Sequence, residues 1–291
     1  MTTPIVAPYV PSYANRQSYI TPEEFTQDPN GVDVSQLVAG GTVFDNEAAL
    51  IGVIADASAW VDAICDQVLA ATVDIQTGRY RIDRDGNVKV PCDYSPVIAV
   101  NAVSTGDRPQ DLAAVTDLTG TWIRPKVVQI PVVQTFYDRV GYASGDLYVQ
   151  MTYVNGYANT ALAEAANAGD TTITVTAPLG IAPSMNLGCY DGSVSEPLAV
   201  ASSYSYGSTT VPLASPLTNA HAAGTAVSAL PPEVRRATKL LTSALIKTRG
   251  DEAFQMASIS AEPETTALGQ PGLTRDVEIA TRLLARFRRT R

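Results

Sequence analysis

The 291-residue sequence predicts an α+β fold: a helical core with a small antiparallel sheet, an inserted all-β module and a C-terminal helix. Three observations predict it. Apolar residues recur at three- and four-residue steps in two long stretches, 45–69 and 230–250. They alternate with a period of two between 79 and 154, and residues 161–229 are short alternating runs almost without charge. The packing partners of the second helix lie before the charge-poor block, so that block reads as an insertion.

Residues 1–20 carry prolines at 4, 8 and 11 and tyrosines at 9, 13 and 19, which favours an extended N-terminal arm. Thr21-Pro22-Glu23-Glu24 is a helix start, with Thr at the cap, Pro first and Glu three residues after the cap. Asp28-Pro29-Asn30-Gly31 stops that helix early. Asp45 or Asn46 then caps a longer one to about Leu69. Its stripe is Leu50, Ile54, Ala57, Val61, Cys65 and Val68, with Asp56, Asp62, Asp66 and Gln67 opposite. Trp60 flanks the stripe as a packing residue, and Cys65 reads as a small buried hydrophobe.

Arg79–Asp83 and Val88–Pro91 flank Arg84-Asp85-Gly86-Asn87, a hairpin signal. Asp83, Asp85 and Asn87 share the opening of a calcium loop, but the glycine comes too early and no Glu closes it, so a turn is expected. Strands follow at 96–103, 122–123, 127–133 and 147–154, the last ending in Asn155-Gly156. In the insert, 171–176, 187–190, 197–201 and 209–213 read as strands of a small sandwich or barrel. Pro231 and Pro232 open the second principal helix and Gly250 suits its cap, with Arg235, Arg236, Lys239 and Lys247 on or beside its polar side. Residues 251–272 read as a linker. In 273–291, opened by Thr274 and Asp276, Val277, Ala280, Leu284 and Phe287 face one way and Arg275, Arg282, Arg286 and Arg289 the other. The expected division is therefore arm 1–20, core 21–160, module 161–229, core helix 230–250, linker 251–272 and basic helix 273–291.

The balance of charge narrows the function. Residues 275–291 hold six arginines against Asp276 and Glu278, leaving 14 basic and 27 acidic residues elsewhere. An acidic body is a poor counter-ion for phosphate, which argues against a general nucleic-acid binder. No run of eighteen apolar residues and no secretory signal stand out, so a soluble protein is expected. Three separated cysteines suggest neither a disulfide framework nor a zinc site. Phosphate-loop, dinucleotide, zinc-protease and serine-elbow motifs are missing, and the single histidine, His221, lies in a loop with no acidic neighbour fixed beside it. These residues predict no enzyme, no catalytic residue, no metal and no cofactor.

One family resemblance is carried by particular stretches. TPEEF, ALIGVIADASAWVDAICDQVLA, YVNGY and LPPEVRRATKLLTSALIKTRG, in that order, resemble the head-to-tail connector (adaptor) proteins of siphovirus-type bacteriophages. The block from AGDTTITVT to NAHAAGTAVS is similar to β modules of phage structural proteins, and its length of about seventy residues departs from the smaller family members. The resemblance implies a virion protein made in the host cytoplasm, a dodecameric ring under the portal, and a platform for a neck, stopper or tail protein. DNA would pass through its channel without sequence-specific binding, and no membrane would be involved. It also implies that the C-terminal segment reaches the portal, through Arg275, Arg282, Leu283, Leu284, Arg286, Phe287, Arg288, Arg289 and Arg291. Two alternatives stand beside it: a neck stopper or tail terminator, and a glycan-binding module on a helical anchor, the last supported by Tyr190, Tyr204 and Tyr206.

Overall fold

A computed structural model describes residues 17–28, 30–132, 145–248 and 271–289. Residues 1–16 of the expected arm, most of the expected linker, the Gly250 cap and Arg291 lie outside them. The chain is α+β, with antiparallel sheets.

Helix α1 (Pro22–Thr26) begins with a capping box: the Glu24 amide donates to Thr21 Oγ1 at 3.2 Å, and the Thr21 amide to Glu24 Oε2 at 3.1 Å. Helix α2 (Val43–Cys65) starts the same way, with Thr42 as the cap and Asp45 three residues on. The expected cap at Asp45 or Asn46 is thus displaced to Thr42. Asn46 is instead buried and donates to the Ser35 carbonyl at 2.9 Å. The helix ends at Cys65, because Asp66 turns left-handed (φ 53°).

Leu50, Ile54, Ala57, Val61 and Cys65 form the buried stripe of α2. Asp62 and Gln67, assigned by periodicity to the polar side, are buried as well. The Tyr19 hydroxyl and Asp62 Oδ1 lie 2.5 Å apart, and both accept from the Leu69 amide, at 3.1 and 3.0 Å. A polar hub closes the helix end and fixes the entering chain. By length and composition α2 also passes as a membrane span, contrary to the expectation that no segment would. Its stripe nevertheless packs within the chain.

Two sheets come next. Strands β1 (Thr72–Arg81), β2 (Asn87–Pro91), β3 (Val97–Gly106), β4 (Ala113–Ala114), β5 (Trp122–Arg124), β6 (Val127–Pro131) and β7 (Asp146–Asn155) form one sheet in the order β1-β7-β3-β4 and another in the order β2-β6-β5. Leu147, Val149, Met151 and Tyr153 alternate onto the inner face of β7 and share a core with Val88, Val90, Val128 and Ile130. The expected turn forms, with Asp83 Oδ1 accepting from the Asp85 and Asn87 amides and Gly86 at φ 77°. It does not join a full hairpin. Past the Ile82–Val88 bridge, β1 pairs with β7 over ten residues and β2 leaves for β6.

Gly156 (φ +89°) carries the chain from β7 into the insert, where an added Cβ would lie 2.6 Å from the Ala70 carbonyl oxygen. The insert uses β8 (Asn159–Ala161), β9 (Thr172–Thr174), β10 (Asn186–Tyr190), β11 (Glu196–Ala199), β12 (Thr210–Pro212) and β13 (Ala226–Ser228). A four-stranded sheet, β11-β10-β13-β8, and the pair β12-β9 enclose an apolar cluster from Ala158 to Val227. Strands β8 and β13 were not among the expected strands.

Helix α3 (Pro232–Lys247) and helix α4 (Pro271–Leu284) complete the fold, with α3 packed against both α2 and α4. Val234, Ala237 and Leu241 of α3 join Ala57, Val61, Cys65 and Leu69 in one core.

Candidate interaction site

The basic segment was expected to separate an apolar face from a cationic one, and α4 does so. Ala280 and Leu284 are fully buried and Phe287, in a 3-10 turn (Ala285–Phe287), is 9% exposed. They pack on α2 and α3, so Leu284 and Phe287 occupy a groove of their own chain. Leu283 is half-buried against the same core. The reason is geometric: the groove between α2 and α3 is apolar, adjacent and tethered to α4 by the intervening chain.

Polar contacts lock the seat. Lys247 pairs with Asp276 at 3.1 Å and Arg286 with Glu233 at 2.7 Å, while Gln67 Nε2 donates to the Phe287 carbonyl at 2.7 Å. The Arg289 amide donates to the Cys65 carbonyl at 2.8 Å, and its guanidinium sits 4.4 Å from the centre of the Tyr94 ring. Arg289 therefore faces the body. Arg275, Arg282, Arg286 and Arg288 are exposed, Arg282 in an i,i+4 pair with Glu278.

Arg235 was placed on the polar side of its helix, yet it is buried. Its guanidinium forms an ion pair with Glu24 and lies 3.4 Å from the Tyr190 ring centre. One side chain thus ties α1, α3 and β10 together. No local signal separates Arg235 from the exposed Arg236 beside it.

His221 also departs from expectation. Folding brings Asp191 Oδ2 to 3.1 Å from its Nδ1 and Glu196 Oε1 to 2.9 Å from its Nε2, and the ring is fully buried. The three residues are up to thirty positions apart, so spacing in the loop could not reveal them. Burial opposes the Glu196 charge, but the Thr218 and Asn219 amides and His221 outweigh it and hold its pKa at about 2. A carboxyl depressed in the fold stabilises above its unfolded pKa and loses that contribution as pH falls through the folded value. Through this group the chain is expected to lose stability progressively as pH falls from about 4.5 toward about 2. Urea midpoints followed from pH 6 downward check it, and Glu196→Gln should remove that part of the slope.

Burial pushes the Cys65 and Cys189 thiols up to about 12, and the Cys92 thiol to about 11. Among the described residues no cluster of His, Cys, Asp and Glu could hold a metal ion.

No family model and no curated protein matches the chain. Two solved structures are similar over 94% of this chain and 95% of theirs. One is from the neck of an empty gene transfer agent particle computed with C6 symmetry, at 13% identity and a TM-score of 0.37. The other is from the virion of a native gene transfer agent particle, at 14% identity and a TM-score of 0.35. Likeness at this level carries no inference about function.

Proposed function

We propose that the chain is a structural virion protein, a head-to-tail adaptor that forms a ring beneath the portal and extends the DNA channel toward the tail. The observation that carries the reading is the row of exposed arginines from Arg275 to Arg288, on α4 and just beyond it, on an otherwise acidic chain. Such a row suits carboxylates on a partner ring, where repetition around the ring multiplies individually weak pairs. The resemblance of TPEEF, YVNGY and the α3 sequence to phage adaptors points the same way. Because Leu284 and Phe287 serve the chain's own core, portal contact in this reading falls to the exposed Arg288 and to Arg291, which lies outside the described residues.

Deleting residues 273–291 would test the reading poorly, since it would also uncover the core. Charge reversal is cleaner. The double variant Arg288→Glu, Arg291→Glu is expected to keep the native melting temperature and lose co-sedimentation with the portal from the same genome. Undiminished co-sedimentation would overturn the assignment of portal contact to this end of the chain.

A further inference from the structure

The outward face of α2 is unlike the rest of the surface. Val43, Phe44 and Ile51 are 85%, 76% and 50% exposed, and Ala48 and Gly52 beside them are exposed too. Phe44, Ala48 and Ile51 follow one another at helical spacing, so they line one strip. Flanking it are the exposed Asp45, Glu47 and Asp56, and α2 contains no basic residue. A strip both apolar and wholly acidic calls for a partner that is apolar and basic.

The same chain offers such a surface. Arg275, Ile279 and Arg282 recur along α4 at helical spacing on its outer side, the arginines exposed and Ile279 half-buried, with the exposed Glu278 between them paired to Arg282 at 2.5 Å. Glu47 and Asp56 lie on opposite flanks of the strip, half a turn apart about the axis and about 13 Å apart along it, so a helix laid obliquely across the strip meets both; Arg275 and Arg282 lie about 10 Å apart along the outer side of α4. The two faces differ and lie on separate helices, each packed on α3. A contact between them can repeat head-to-tail, and such a contact closes into a ring when its rotation closes.

We infer that the acidic-apolar face of α2 is the seat for the C-terminal helix of a second copy, Phe44 and Ile51 meeting Ile279 while Glu47 and Asp56 pair with Arg275 and Arg282. This rests on the ring reading and names its contact. The first turns of α4 then serve the sister subunit, leaving Arg288 and Arg291 for the portal.

Sedimentation velocity of the purified full chain over about a hundredfold range of concentration tests it. The wild type is expected to self-associate. Phe44→Asp should weaken association about a hundredfold, as loss of a central aromatic anchor does, and leave the melting temperature unchanged. Glu47→Arg with Asp56→Arg should dissociate the assembly, and adding Arg275→Glu with Arg282→Glu should restore it. A monomeric wild type at every concentration overturns the inference. So does unchanged assembly of Phe44→Asp, or failure of the reversed charges to restore it. A monomer that associates only after removal of residues 1–16 also overturns it, since the chain's own N-terminus would then occupy the face. Assembly through α2 without portal co-sedimentation would sink the adaptor reading and leave this contact standing.

Discussion

Replacing Arg235 by alanine is expected to cost about 3–5 kcal/mol of folding stability, because Glu24 would keep a buried charge with no cation opposite it. Both partners are nearly enclosed, with side-chain exposures of 6% and 11%, so solvent screens the loss little. Packing adds to the charge effect, since the guanidinium also covers the Tyr190 ring. Against a total stability of about 5–15 kcal/mol, a loss of that size would leave much of the chain unfolded at elevated temperature. Replacing both partners at once, Glu24→Leu with Arg235→Met, should recover a large part of it, because two apolar groups tolerate the site better than one stranded charge. Urea denaturation of the three chains reads the difference. A cost under about 1 kcal/mol for Arg235→Ala would mean that the pair behaves as a surface one.

Leu284→Ala is expected to be nearly as severe, at about 2–5 kcal/mol, as for other fully buried leucines that leave a cavity behind. The comparison that gives this meaning is Arg282→Ala, two residues earlier. Arg282 has a side-chain exposure of 76%, and its replacement should change stability by no more than about 0.5 kcal/mol. A sharp contrast between the two would establish in solution that α4 is a structural part of the body. Equal small losses would mean that the helix is not seated on α2 and α3.

Much of this architecture was legible in the sequence, and the reasons are local. The capping box at Thr21, the prolines opening α3 and the tight turn at Gly86 each depend on residues within a few positions of one another. The buried stripe of α2 and the two faces of α4 follow from helical period alone. The strands at 187–190 and 147–154 follow from alternation.

Contacts between distant segments were not legible. Arg235 and Glu24 are 211 positions apart, and His221 meets its carboxylates only because the β10–β11 connection folds beneath it. Tyr19 lies fifty positions before Leu69, yet its hydroxyl accepts from the Leu69 amide at the end of α2. Polar residues were the recurring error: Asp62, Gln67 and Arg235 were assigned outward by chemistry and turned inward because each found a partner there.

The sequence by itself determined the fold class, the amphipathic helices, the charge-poor run of short strands and the segregation of arginine at the C-terminal end, because these depend on composition and short-range period. The tertiary structure decided which face of each helix is spent internally. It seated Leu284 and Phe287 in the chain's own groove and, among the described residues, brought nothing over Phe44 and Ile51. Periodicity says that a face is apolar, but whether that face is buried or free depends on what the rest of the chain brings against it.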